Sequence, residues 1–385
     1  MSNQERILTT HCGSLPRPAA LSAMLLQQEA GQAVDAQALR TETANSVAAV
    51  VDAQMKAGID IVSDGEQPRV GFSMYVPLRM KGFGGQAVRP IPRDLEEFPQ
   101  FLERLRQRRG QRNKIDTPPK AVAEVSYTGI EDAKAEYDLF KNTLGSLNKK
   151  PVDTFMTAAS PGIIATTMDN EYYDSYENYV FALARELRKE YQLIASYGFQ
   201  LQLDAPDFGL ERARKYKDQT DKEFLDAMEL NVEAINRGTE GIPRERIRLH
   251  ICWGNWEGPH VHDFPLAGLL PLLYRAKVGA LSIEFANPRH QHEYEALRKN
   301  PLPADMTLIP GVIDTTTNFV EHPEVVANRI CEAVKVVGDK ERVIAGTDCG
   351  FGTSAGASAV SPDVVWAKLA ACRDGADIAT KRLNS

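Results

Sequence analysis

The chain of 385 residues is long enough to bury a sizeable core, and its hydrophobic fraction of 43% and charged fraction of 25% are typical of a globular protein. A net charge of −7 argues against a nucleic-acid-binding protein, which normally carries a basic excess. No apolar run reaches the roughly 18 residues of a membrane span, and residues 1–6 lack the basic start and apolar stretch of a signal peptide. These features predict a cytoplasmic enzyme with no nucleic-acid or membrane partner.

A short β-type run, a polar turn and an amphipathic helical stretch recur in this order along the chain. The helical stretches include residues 36–56, 176–196, 221–237 and 323–337. Strands that alternate with helices run parallel, and eight of them over this length favour a closed (β/α)8 TIM barrel, an α/β fold, over an open sheet. The predicted strands are 7–10, 59–63, 152–157, 200–204, 246–251, 280–284, 307–312 and 342–346.

One segment does not follow this repeat. Residues 79–129 form a long excursion between the second and third predicted strands, with a basic run at 101–109 and a strand-like stretch at 121–127. The basic run is interpreted as a solvated helix face, and the alternative is a lid over the barrel mouth. The sequence therefore predicts a single barrel domain over residues 1–385, with an insertion at about 79–129.

Polar side chains follow the predicted strands with unusual regularity. In a TIM barrel such positions meet at the C-terminal rim, where active sites are built, so we expect a functional site there. In chain order these residues are His11, Ser14, Asp64, Glu66, Ser160, Asp204, His250, Cys252, Glu284, Asp314, Asp348 and Cys349.

Two rim residues, His250 and Cys252, are two positions apart on the fifth predicted strand. Side chains along a strand alternate between its faces, so these two point the same way and can share a metal ion. Glu284 ends the next strand, and Cys349 follows the last one. Two thiolates and one imidazole favour zinc over magnesium or calcium. The four residues are therefore predicted to bind a Zn²⁺ ion.

A zinc site with these ligands suits a particular chemistry. The two thiolates and the carboxylate outweigh the charge of the ion, so the site is a poor Lewis acid for hydrolysis. It can instead hold an incoming thiol as a nucleophilic thiolate. The carboxylate of Glu284 is a hard ligand and the weakest of the four for zinc, so it is expected to leave the ion when the sulfur of the substrate binds. The predicted reaction is alkylation of a small thiol by in-line displacement.

Several motifs along nearly the whole chain occur in the order of one known family. They are TTHCGSLP at 9–16, VSDGE at 62–66, LQLDAP at 201–206, HIC at 250–252, IE at 283–284, PGVID at 310–314 and DCG at 348–350. With these motifs the sequence resembles the C-terminal catalytic barrel of cobalamin-independent methionine synthase. The resemblance implies transfer of a methyl group to the thiol of homocysteine, which gives methionine. The zinc ligands that it implies are the same four: His250, Cys252, Glu284 and Cys349.

The resemblance also places the contacts to homocysteine. It implies the backbone of Gly13 and the hydroxyl of Ser14 for the carboxylate, and Glu66 and Asp204 for the ammonium group. Two converging carboxylates can satisfy the three donors of a primary ammonium. Together with Glu284, Glu66 and Asp204 form the predicted catalytic set. The alternative is structural, with Asp204 capping the turn at Pro206 and Glu66 paired with Arg69.

The sequence departs from the family at the methyl donor. Where the family has a proton-donating histidine after Gly-Val-x-Asp, this chain has Thr316, and no tryptophan stands near residues 166–169 to stack on a pterin. Methyltetrahydrofolate is a poor donor unless its N5 is protonated. The predicted donor is therefore methyltetrahydrofolate or a related carrier such as a methyl-corrinoid.

Two other functions are compatible with the same residues. A zinc-dependent alkyltransferase could act on another small thiol such as coenzyme M, although Glu66 and Asp204 would repel its sulfonate. A metal-free barrel could bind a small acid and merely bury its cysteines. Metal analysis separates this metal-free barrel from both zinc enzymes, the homocysteine methyltransferase and the alkyltransferase that acts on another thiol.

Overall fold

The computed structural model describes residues 6–108 and 117–385. Its strands are β1 (Leu8–Thr9), β2 (Ile61–Val62), β3 (Met80–Gly84), β4 (Lys120–Tyr127), β5 (Asp153–Ala159), β6 (Gln200–Asp204), β7 (Ile247–Ile251), β8 (Ala280–Ile283), β9 (Thr307–Ile313) and β10 (Ile344–Thr347). Eight of them form one parallel sheet in the order β1-β10-β9-β8-β7-β6-β5-β2. The Asp60 N–H donates to the Thr9 carbonyl oxygen (3.1 Å) and links the two ends of the sheet. The predicted (β/α)8 barrel is confirmed.

Helices surround this barrel: α1 (Ala19–Glu29), α2 (Ala36–Lys56), α3 (Val76–Arg79), α4 (Arg93–Glu97), α5 (Pro99–Arg108), α6 (Ile130–Gly145), α7 (Pro161–Thr167), α8 (Tyr176–Ser196), α9 (Asp221–Gly238), α10 (Leu266–Leu273), α11 (Tyr294–Lys299), α12 (Pro323–Val337) and α13 (Pro362–Asn384). Side chains fix several of their starts: Ser175 caps α8, and Thr220 with Glu223 forms a capping box on α9. Among the described helices, none has both the length and the apolar composition of a bilayer crossing.

The excursion at 79–129 lies between β2 and β5 in sequence, as predicted. It contains an antiparallel pair of strands, β3 and β4, with the helices α4 and α5 between them in sequence. Its residues 109–116, with Arg109 of the basic run, lie outside the described part. It packs on the loops that follow β6 and β7. The Val261 N–H donates to Asp94 Oδ1 (2.7 Å), Arg214 Nε donates to the Pro90 carbonyl oxygen (2.9 Å), and Phe101 lies 6.2 Å from Trp256 between ring centroids. That residues 1–385 form a single domain stays a prediction.

The barrel interior has an apolar layer and a polar layer. A buried cluster of Leu8, Ile61, Phe155, Ile309 and Ile344 fills the end where the strands begin. Toward the ends of the strands the interior is polar, and β6 and β7 pair in the register Gln202↔Arg248 and Asp204↔His250. Because side chains alternate along a strand, these pairs stack in successive layers toward the C-terminal rim.

Candidate metal centre and substrate site

The register of β6 and β7 places Asp204 beside His250 at the rim. His250 Nδ1 lies 3.0 Å from Asp204 Oδ1, and its Nε2 lies 3.3 Å from the Asp348 carbonyl oxygen. A carboxylate accepts, so Nδ1 carries a proton toward Asp204, as in the carboxylate–histidine pairs that orient metal ligands. Asp204 Oδ1 also accepts from Gln202 Nε2 (2.7 Å). Asp204 therefore orients the imidazole with its Nε2 toward the loop that carries Cys349.

Barrel closure brings three of the four predicted ligands together. The donor atoms of His250, Cys252 and Cys349 all lie within 4.8 Å of one another, and all three residues are buried. One imidazole and two thiolates at such separations could hold a metal ion. Cys349 is far from the other two in sequence, but all three residues follow or end strands, and such positions meet at the C-terminal rim of a barrel.

The thiols of Cys252 and Cys349 shift each other's pKa in opposite directions. A hydrogen bond from Cys349 lowers the pKa of Cys252 to about 7, against the effect of burial. The same bond, together with burial, raises the pKa of Cys349 above its ordinary value. Cys252 is therefore the more acidic of the two thiols, and a cation bound between the sulfurs would displace their protons.

Glu284, the fourth predicted ligand, is not part of this compact group. Its Oε1 accepts from the Trp253 N–H (3.1 Å) and its Oε2 from Asn287 Nδ2 (2.8 Å). Burial raises the pKa of the Glu284 carboxyl well above its ordinary value, and the adjacent Cys252 adds to the effect. The carboxylate therefore lies beside the sulfurs but is held by neutral donors; its role as a ligand stays a prediction.

The carboxylate of Asp348 joins the loop after β8 to the loop of Cys349. It accepts from the backbone N–H groups of Phe285 (3.0 Å), Ala286 (2.8 Å) and Asn287 (2.8 Å), and from Asn287 Nδ2 (3.0 Å). These donors stabilise a buried carboxylate that has little solvent. The position of Cys349 is thus fixed by the residue before it.

The turn after β1 carries the predicted carboxylate contacts. The Gly13 N–H donates to His11 Nδ1 (3.1 Å), while His11 Nε2 bonds Gln54 Oε1 (2.7 Å). Burial lowers the pKa of His11 to about 3, so this imidazole is neutral and can accept at Nδ1. Because the Gly13 amide is already engaged, the Ser14 amide and hydroxyl are the donors available to a substrate carboxylate. The assignment of Gly13 and Ser14 remains a prediction.

Glu66 lies on the same rim in an unusual setting. Its φ of 56° is left-handed, and its Oε1 accepts from Thr157 Oγ1 (3.0 Å). Among the described residues its Oε2 has no hydrogen-bond partner, and the closest cation is Arg17 at 4.0 Å. Burial, reinforced by Asp204, raises the pKa of Glu66 to about 7. A buried, unsatisfied carboxylate beside a second one favours a ligand that carries a positive charge.

The structural alternative for Glu66, a pair with Arg69, does not form. Arg69 Nε instead donates to Glu136 Oε1 (2.8 Å), and its NH1 donates to the carbonyl and hydroxyl oxygens of Thr157 (2.8 and 3.0 Å). Thr157 in turn donates to Glu66. The buried arginine therefore supports Glu66 through the threonine and leaves its second oxygen open.

Two hydroxyl groups in the region predicted to face the methyl donor are already engaged in hydrogen bonds. The Thr316 hydroxyl donates to Asp314 Oδ1 (2.8 Å), so it only closes the turn after β9. The hydroxyl oxygen of Tyr173 accepts from the Val125 N–H (2.9 Å) of β4. Trp253 is 1% exposed and stacks on His290 with 4.0 Å between ring centroids, which makes it a packing residue.

Two contributors to the site were missed from sequence. Asn287 bridges Glu284 and Asp348, and Arg17 donates to the backbone carbonyl oxygens of Glu66 (2.7 Å) and Gly352 (2.5 Å). The sequence offered only their positions as a signal for a role in the site: Arg17 follows the motif at 9–16, and Asn287 follows the motif at 283–284. A polar residue in a turn has many possible partners, so position does not assign its role.

Replacement of Gly350 by alanine should disturb the Ser14 hydroxyl. A Cβ at Gly350 would lie 2.0 Å from Ser14 Oγ and 3.2 Å from Ser14 N. We expect a loss of about 1–2 kcal/mol in the free energy of unfolding, as for other overpacked sites, and a several-fold rise in the KM for homocysteine. Denaturant unfolding and steady-state kinetics measure both. The control is Gly145→Ala, whose Cβ meets nothing within 4 Å; equal behaviour of the two variants would contradict the placement of Ser14.

The chain is similar to several known proteins over most of its length. It is 27% identical to a methionine synthase of Thermococcus kodakarensis over 344 residues, which are 89% of this chain and 86% of that protein. It is 24% identical to the 2-hydroxypropyl-CoM lyase of Xanthobacter autotrophicus over 90% of this chain and 89% of that one. The solved structure of a B12-independent methionine synthase from Shewanella sp. W3-18-1, in complex with selenomethionine, superposes with a TM-score of 0.73 at 23% identity, covering 98% of this chain and 99% of that chain.

The structural match at this identity supports the barrel fold. The family itself is shown by a sequence model for the catalytic domain of cobalamin-independent synthase, which matches residues 110–371. That range is well over half of the chain and includes the strand ends of Asp204, His250, Cys252, Glu284 and Cys349. The protein belongs to the cobalamin-independent synthase catalytic-domain family, as its motifs predicted.

Proposed function

We propose that this protein is a zinc-dependent methyltransferase that transfers a methyl group to the thiol of homocysteine and so forms methionine. The observation that carries the proposal is the meeting of His250, Cys252 and Cys349 at the barrel rim in a member of this family. The methionine synthases among its relatives support the same reaction.

The donor set fits zinc. Nitrogen and two sulfurs are the preferred ligands of this ion, and a catalytic zinc site has three protein ligands and one position for a substrate. The two buried sulfurs of Cys252 and Cys349 are a second argument, because they lie within 4.8 Å of each other and shift each other's pKa, as expected where one cation can bind both. We assign Glu284 as the ligand of the remaining position before substrate binds.

When bound, zinc supplies the Lewis acidity that keeps a substrate thiol deprotonated near neutral pH. Asp204 holds the His250 imidazole in the required tautomer. The site residues are buried, with Cys252 at 4% and Cys349 at 5% exposure, which excludes water from the nucleophile. In the reaction a sulfur–carbon bond forms as the bond from the methyl carbon to its donor breaks, and the donor leaves with that electron pair.

We assign the ammonium group of homocysteine to Glu66 and Asp204, and its carboxylate to Ser14 with the Gly13 turn. The unsatisfied Oε2 of Glu66 supports this orientation, because a primary ammonium would give it the missing donor. Glu66, Asp204 and Glu284 are the proposed catalytic set. The free thiols of this site also need a reducing compartment, which supports a cytoplasmic location.

The donor is methyltetrahydrofolate or a related methyl carrier such as a methyl-corrinoid. The two differ in the proton that they need: the N5 of a folate takes one up as it leaves, whereas a corrinoid retains the electron pair on cobalt. Since Thr316 is engaged with Asp314 and cannot serve as the acid, the corrinoid donor has the simpler requirement.

An assay of purified protein with homocysteine tests the function. Methionine should form with at least one of methyltetrahydrofolate, its polyglutamate form and methylcobalamin, and the activity should follow a content of about one zinc per chain. Coenzyme M serves as a competing thiol, because one relative is a 2-hydroxypropyl-CoM lyase. Methylation of coenzyme M but not of homocysteine would replace our proposal with the second function, and a protein free of metal and inactive on both would leave only small-acid binding.

A further inference from the structure

The carboxylate of Glu284 rests in a defined pocket of hydrogen-bond donors. It is 5% exposed, and each of its oxygens accepts one hydrogen bond from an uncharged group, the Trp253 N–H or the Asn287 amide. A buried carboxylate without donors would be strongly destabilised. Glu284 therefore has a stable place beside the His250–Cys252–Cys349 group that does not depend on contact with a metal.

The orientation of the Asn287 amide is fixed by its own turn. Its Oδ1 accepts from the backbone N–H groups of Arg289 (3.0 Å) and His290 (3.2 Å), so this end is the oxygen and the other end is the donor. Nδ2 then lies between Glu284 Oε2 (2.8 Å) and Asp348 Oδ2 (3.0 Å). The two carboxylates thus share one amide as their common donor.

We propose that the Asn287 amide is the docking point that holds Glu284 off the metal when the substrate thiol binds. This inference rests on the proposed function, in which Glu284 is the ligand that yields. Asn287 lowers the free energy of the detached carboxylate. Its contact with Asp348, the residue before Cys349, fixes the position of the amide relative to the Cys349 sulfur. Asn287 is a positioning residue: it does not touch the reacting atoms but sets how easily the thiol takes its place.

The Asn287→Ser variant separates this role from the role of the turn. A serine hydroxyl still accepts from the following N–H groups, but it is too short to bridge the two carboxylates, and it adds no charge. In the cobalt-substituted protein, Cys252 and Cys349 themselves give thiolate-to-metal absorption, and coordination of a third thiolate increases it, so this increase reports homocysteine binding. We expect the dissociation constant of homocysteine to rise about tenfold, as for loss of one hydrogen bond to a charged group.

The affinity for cobalt without homocysteine should stay equal or increase, because the loss of the docking point favours Glu284 on the metal. The melting temperature should fall only slightly, because Asp348 keeps its three backbone N–H donors. A homocysteine affinity within twofold of the wild type would overturn the inference, as would a parallel loss of cobalt affinity and melting temperature, which indicates a purely structural role. If homocysteine does not increase the thiolate-to-metal absorption of the wild-type cobalt protein, the proposed function fails and the docking role fails with it.

Discussion

The Cys349→Ser variant is expected to lose metal and methyl transfer together while its barrel stays folded. A serine hydroxyl is a poor ligand for zinc, and its loss leaves only His250 and Cys252 of the compact group, too few for a stable site. We expect zinc content near zero after dialysis and a fall in kcat/KM of about 10³-fold or more, because the substrate thiol no longer has a metal. Metal analysis, circular dichroism and kinetics measure the three quantities.

The matched control for this variant is Cys331→Ser. Cys331 lies on α12, is only partly buried and has no place among the proposed ligands. It should keep one zinc per chain and full activity. Full zinc and full turnover in Cys349→Ser would show that the ligand assignment is wrong.

The Glu66→Gln variant should keep its zinc and bind amino-acid ligands more weakly. An amide keeps the shape of the side chain but removes the charge that an ammonium group needs. We expect a loss of about 1–3 kcal/mol in the binding free energy, as for a hydrogen bond to a charged group. The product methionine is the better probe, because its thioether does not ionise and its binding can be measured by calorimetry.

The same group predicts how this binding depends on pH. Burial raises the pKa of Glu66 to about 7, so the carboxylate becomes protonated as the pH falls through that value. The ammonium needs the ionised form, so methionine affinity in the wild type should fall about tenfold between pH 8 and pH 6. In Glu66→Gln this dependence should disappear. The exposed Glu177→Gln variant is the control and should keep the wild-type profile.

A wild-type affinity that does not change between pH 6 and 8 would contradict the assignment of Glu66 to the ammonium group. The same applies if Glu66→Gln binds methionine as tightly as the wild type at pH 8. Loss of zinc from this variant would instead mean that Glu66 supports the metal centre.

The sequence alone determined the barrel and the residues that reach its rim. Alternation of strands with helices and the two-residue period of His250 and Cys252 are local properties of the chain, so they can be inferred without coordinates. Cys349 could be added to the site from sequence because the strand ends of a closed barrel meet at one rim, wherever they lie in sequence.

Only the tertiary structure decided what each rim group bonds. The Gly13 amide is occupied by His11, Glu284 is held by Trp253 and Asn287 rather than joined to the sulfurs, and Glu66 is supported through Thr157. Trp253 and Thr157 come from segments far from Glu284 and Glu66 in sequence, and the register of distant strands positions those segments. Periodicity gives the face on which a side chain lies, but a hydrogen bond depends on distances of a few tenths of an ångström between such loops.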